Sequence, residues 1–119
     1  MDENPGLSDQ YRMASPWPLF VALGLPIAEL GLLFGLIPLA VGGVILFGGS
    51  IAGMLAESGY AGTAWRALGV IALLAVALGG AFVWADPLTG AALAPRGYAT
   101  IGAGVVMLLA ALAGELLSF

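Results

Sequence analysis

Apolar residues run almost unbroken from Pro16 to Ala56, and the only charged side chain within that run is Glu29. As one straight helix the run would be roughly 60 Å long, about twice the hydrocarbon thickness of a bilayer. It must therefore fold back once. Gly35-Leu36-Ile37-Pro38 is the place that suits a reversal. Gly35 can take the left-handed conformation that ends a helix, Pro38 fits the first turn of the next one, and Ile37, just before a proline, is pushed from helical geometry. The pattern predicts helices over about Pro18–Phe34 and Pro38–Glu57. A short connection follows at Ser58–Thr63, then a third helix over about Ala64–Ala85. Asp86–Arg96 reads as the longest loop, with turn signals in Asp86-Pro87 and Ala94-Pro95-Arg96-Gly97. A fourth helix is expected over about Tyr98–Leu117. Residues 1–15 are polar and mildly acidic, lack the basic start and cleavage pattern of a signal peptide, and read as a short soluble tail. The expected architecture is all-α: an integral membrane domain over residues 16–119, with four transmembrane helices arranged as two antiparallel hairpins.

Composition moves the picture firmly towards lipid. The chain has 119 residues, 61% hydrophobic and only 8% charged, with a mean hydropathy of +1.08. A soluble domain draws about a quarter of its residues from the charged set, which this chain cannot supply. It has no cysteine and no histidine, which removes disulfides, thiol chemistry, the usual zinc sites and histidine-ligated haem. No metal or other cofactor is expected within it. The net charge of −4 with so few basic residues argues against nucleic acid or an anionic lipid surface as partner. No Ser-His-Asp set, P-loop or dinucleotide fingerprint is present. No catalytic residue and no soluble small-molecule substrate are expected.

Aromatic residues support the helix ends. Trp17, Tyr60 with Trp65, Trp84 and Tyr98 all fall there, where Trp and Tyr favour the headgroup level, and Arg66 is placed to snorkel towards phosphate. With four spans both termini share one side. Arg12 and Arg66 lie on that side and Arg96 on the other, so the positive-inside rule puts the termini in the cytoplasm of a multi-pass plasma-membrane protein. Small residues mark packing faces: Gly24, Ala28, Gly31 and Gly35 in the first helix, Gly42, Gly49 and Gly53 in the second, Ala103, Ala110 and Gly114 in the fourth. Gly31 with Gly35 and Gly49 with Gly53 are GxxxG matches, a spacing that lets backbones approach closely in lipid. With Trp17 and Glu29, these glycines are the candidate helix or partner contacts. Paired glycines (Gly42-Gly43, Gly48-Gly49, Gly79-Gly80) lend the two halves a faint likeness that chance also gives in so Gly-rich a chain, and no repeat is read from them.

Glu29 is the one ionisable group inside a predicted span. An acid near the bilayer centre costs on the order of 3 kcal/mol, so it should face protein. Pro26, three residues earlier, leaves the carbonyl of Ala22 without its helical bond. Three readings stay open: a proton or cation site of a transporter, a hydrogen-bond lock to a helix of this chain or of a partner, or a shallow position near the reversal at Gly35. With no second titratable group in a span to relay with, the lock is favoured.

Ser15-Pro16-Trp17-Pro18-Leu19 with Leu30-Gly31-Leu32-Leu33-Phe34-Gly35 resembles the opening of small accessory subunits, and of subunit III, of haem-copper cytochrome oxidases. It is also similar to a four-helix family of halophilic archaea associated with terminal-oxidase genes; the absence of lysine and the acidic balance fit such an origin by association. The likeness covers Ser15–Glu57. It implies a non-catalytic subunit of a respiratory oxidase that flanks the catalytic subunit, buries glycine faces against it, and holds membrane lipid or stabilises assembly, with haem and copper in the partner. Subunit III is much longer and carries further acids in its helices, so only Glu29 is available for a comparable part. The chain also resembles small multidrug transporters in length, in four helices and in a first-helix carboxylate, which would imply a homodimer exchanging protons for cations at Glu29. It departs from them in its N-terminal tail, its tight first reversal and the lack of an aromatic residue within a turn before Glu29.

Overall fold

The computed structural model describes residues 16–59, 62–90 and 93–117, and all regular structure among them is helical. Four helices follow one another: α1 Trp17–Leu33, α2 Ile37–Glu57, α3 Ala64–Thr89 and α4 Ala94–Leu116. The expected tail over residues 1–15 lies outside the described residues. Helices α2, α3 and α4 are long and apolar enough to cross a membrane, while α1 is a shorter apolar helix of 17 residues.

The reversal after α1 falls where the glycine predicts it. Gly35 has φ 71°, a conformation that costs other residues a clash at Cβ. Ile37 is nevertheless the first residue of α2, and Leu36, with φ −97° and ψ 84°, completes the non-helical turn that Gly35 begins. The reversal after α3 is much tighter than the sequence pattern implies. α3 continues through Asp86-Pro87 to Thr89 and stops at Gly90, which is left-handed with φ 66° and whose N–H returns to the Asp86 carbonyl. α4 then starts at Ala94, so Arg96 is helical and does not belong to a loop. Proline explains the difference: Pro95 sits in the first turn of α4, where its missing N–H has no helical partner to lose. The Asp86 carboxylate, 3.1 Å from the Ala94 N–H, satisfies one of the orphan donors of that turn.

At the other end, Thr63 caps α3 by accepting from the Arg66 N–H at 3.1 Å. Its hydroxyl also donates to Glu115 at 3.2 Å, and Arg66 Nε stands 3.7 Å from the same carboxylate. Thr63→Ala removes the cap and is expected to cost about 1 kcal/mol, read as a lower unfolding midpoint in detergent; an unchanged midpoint would mean the cap carries no stability.

Helices α1 and α2 pack in opposite senses, with Gly24 against Phe47, Ala28 against Gly43 and Gly31 against Ala40. Helices α3 and α4 do the same, with Gly79 against Gly97 and Ile101, Gly104 against Ala72 and Val76, and Gly114 under the Trp65 ring. Wherever backbones come this close, one side of the contact is glycine or alanine. Packing of small surfaces is what holds helices together when no water is expelled between them. The two pairs meet where Val41, Val44 and Ile45 of α2 enter a core of Ala72, Ala103 and Met107. Along α3, Trp65 and Trp84 stand about 28 Å apart, close to the hydrocarbon thickness of a bilayer.

Candidate functional site

Glu29 lies about one turn from the end of α1, and Arg96 is in the first turn of α4. The two side chains meet in a fork. Arg96 Nη2 donates to Glu29 Oε1 at 2.5 Å and Nε donates to Oε2 at 3.1 Å. Paired bonds of this kind fix the planes of both groups as well as their separation. Because α1 packs mainly on α2, this ion pair is a polar tie between α1 and α4. Thr100, one turn further along α4, donates its hydroxyl to the Arg96 carbonyl at 2.7 Å.

The ion pair stands at the mouth of an apolar groove of about 390 Å³ between the two helix pairs. Leu25 and Leu32 of α1 form one wall, Leu74 and Leu78 of α3 the other, with Phe47 and Met107 towards the floor. Glu29, Arg96 and Thr100 are its polar lining. A second, more open hollow borders the same ion pair on its outer side, between Pro26, Leu30 and Pro95. The volume is in the range of sites that hold a small organic molecule. The chemistry offered is an electrically balanced polar end and a greasy body, which suits an uncharged or zwitterionic amphiphile. Glu29 has both carboxylate oxygens engaged by Arg96 and is not offered as a lone anion.

The residues singled out by sequence are scattered by the structure rather than gathered. Trp17 covers Gly53, and Gly24 and Gly31 lie at the close approach of α1 to α2. Gly35 is the turn, with open space beside it, and Gly49 also faces open space. Gly42, grouped with the packing face of α2, is likewise open, and its neighbour Gly43 makes the contact instead. In α4 it is Ala111 that is buried and not Ala110. Trp65 packs on Gly114, Arg66 sits beside Glu115, and Trp84 and Tyr98 are exposed at the opposite end of the bundle. Tyr60 lies outside the described residues. Sequence reasoning missed Arg96 as the partner of Glu29, and with it Thr100. The available signal was Pro95, which marks a helix start as readily as a turn.

Among the described residues no group of three or more acidic side chains could hold a metal ion. Comparison with curated proteins and with solved structures returns no match. A family model does match, over residues 1–117, and with almost the whole chain covered the protein belongs to that family of unknown function, DUF7541.

Proposed function

We propose that this chain is a non-catalytic subunit of a larger membrane complex. In this reading α1 crosses the bilayer with the three longer helices, so that four spans form two antiparallel hairpins, with the termini in the cytoplasm and the chain in the plasma membrane. The partner favoured by the resemblance over Ser15–Glu57 is the catalytic subunit of a haem-copper terminal oxidase, which would carry the haem and copper. The single observation behind the reading is the forked Glu29–Arg96 pair. A transporter of cations needs its intramembrane acid free to exchange a proton for substrate, whereas this acid is tied to a guanidinium of its own chain. The groove beside the pair supports a holding role, since a lipid or other amphiphile can lie there with its polar end at Glu29, Arg96 and Thr100.

The test is purification of the tagged chain in a gentle detergent, followed by an absorbance spectrum and mass spectrometry of its companions. Haem-bearing companions in fixed ratio are expected, and Glu29→Gln is expected to loosen that association while electron transfer by the complex stays near normal. Haem-free material, together with proton-driven cation efflux in liposomes that Glu29→Gln abolishes, would replace this reading with the transporter.

A further inference from the structure

The two helix pairs repeat one contact pattern. Trp17 opens α1 and its ring covers Gly53; Trp65 stands at the start of α3 and its ring covers Gly114. Seven residues after each tryptophan come Gly24 and Ala72, whose carbonyls face Gly43 and Gly104. Eleven residues after each come Ala28 and Val76, whose backbone nitrogens face those same two glycines. Fourteen residues after each come Gly31 and Gly79, packed on the backbone of Ala40 and Ile101. Counted back from Gly53 and from Gly114, the partners again fall at equal offsets, ten for Gly43 and Gly104, thirteen for Ala40 and Ile101. Glycine frequency alone gives no reason for the two pairs to agree at four positions on the first helix and three on the second. The pairs are therefore structural equivalents, with extra residues taken up by the longer α3 and its reversal.

Equivalence exposes an imbalance. The first pair uses a ridge on α2, Val44, Ile45 and Gly48, and the second receives it in a socket made by Leu68, Ile71 and Ala75 of α3 with Ala103 and Met107 of α4. Gly48 marks the centre, where an added Cβ would stand 2.8 Å from Met107 Sδ and 3.1 Å from Ile71 Cγ2. The second pair's copy of the ridge is Val105, Val106 and Leu109, which are 45%, 48% and 62% exposed. The first pair's copy of the socket is Phe20, Leu23 and Ile27 of α1 with Gly42 and Leu46 of α2. There Leu23 is 42% exposed and Gly42 has open space beside it. A ridge-to-socket contact is head-to-tail, and such contacts go on adding units until a ring closes. Each chain has used one of its two ridges and one of its two sockets.

We propose that the free socket receives the free ridge of a second copy of this chain, giving a closed homo-oligomer of which a dimer is the smallest ring. The contact of Gly48 with Ile71 and Met107 inside one chain then has its counterpart between chains, Leu109 of one copy against Leu23 and Leu46 of the next. The surfaces match in relief, since a shallow glycine lies opposite branched and leucine side chains, and close packing of that kind drives association in lipid.

The chain has no cysteine, so the contact can be read by cross-linking in lipid nanodiscs and by native mass spectrometry. A mixture of Leu23→Cys and Leu109→Cys chains is expected to form a disulfide between copies on mild oxidation, while each variant alone does not. A Cβ added at Gly42 meets nothing within 4 Å in the single chain, and Gly42→Leu is expected to convert the oligomer to monomer with helix content unchanged. A wild-type chain that is monomeric at all concentrations would overturn the proposal. So would efficient linkage of Leu109→Cys to itself, or an oligomer that survives Gly42→Leu intact.

Discussion

Gly43→Ala is expected to open the α1–α2 pair, while Gly49→Ala in the same helix is expected to leave the fold intact or slightly stabilise it. The added methyl at Gly43 would fall on the Ala28 backbone nitrogen, 2.6 Å from Ala28 Cα and 2.7 Å from the Gly24 carbonyl oxygen. These are main-chain atoms of α1 and cannot rotate away, so the helix axes would have to part. Parting them loosens Gly24 from Phe47 and Gly31 from Ala40 as well, because all three contacts lie on one seam. Overpacking commonly costs 1–3 kcal/mol, and a rigid seam of backbone belongs at the upper end, about 3 kcal/mol. Against a total stability of roughly 5–15 kcal/mol, that is a large share. At Gly49 nothing lies within 4 Å, and replacing glycine by alanine in a helix gains about 1 kcal/mol in propensity. Unfolding by titration with a denaturing detergent, followed by circular dichroism, separates the two variants. Equal midpoints for Gly43→Ala and wild type would show that the backbones are not in contact there.

This contrast also marks how far the sequence could be read. That the described residues make four helices and reverse at Gly35 was legible, because a 41-residue apolar run cannot stay straight in a bilayer and a glycine followed closely by a proline gives it one place to turn. Which of two adjacent glycines meets a neighbour was not. A helix apolar on all sides has no phase, so Gly42 and Gly43, or Ala110 and Ala111, are interchangeable until a partner helix is present. The same loss of phase hid the likeness of the two helix pairs: it lies in which backbone atoms touch, and adjacent glycines in the sequence do not report it. Arg96 escaped for another reason. Pro95 and Gly97 flank it, and both punctuate loops as well as helix starts. In fact Pro95 sits in the first turn of α4, and Gly97 is there because Gly79 and Val83 leave no room for a side chain. Misplacing one boundary removed the cation that pairs with Glu29 and left the acid alone in the sequence pattern.

The partnership of Glu29 with Arg96 predicts a particular non-additivity. Arg96→Leu leaves a carboxylate facing the apolar groove, and Glu29→Leu leaves a guanidinium there. Each is expected to destabilise the bundle by about 1.5 kcal/mol, below the cost of breaking a fully buried pair because both groups are near the end of their helices and about half exposed. The double variant Glu29→Leu with Arg96→Leu removes both charges and fills part of the groove mouth with leucine. It is expected to stand within about 1 kcal/mol of wild type, so the coupling energy of the cycle should be about 2–3 kcal/mol. The sign of the double variant matters more than its size. If stability returns while association with the proposed partner subunit or retention of an amphiphile is lost, the pair serves recognition at the groove and the fold tolerates its absence. If stability stays low in the double variant, the ion pair itself is what holds α1 to α4. A coupling below about 0.5 kcal/mol would mean that headgroups and water solvate the two charges separately, and Glu29 would then again be free to work as an acid.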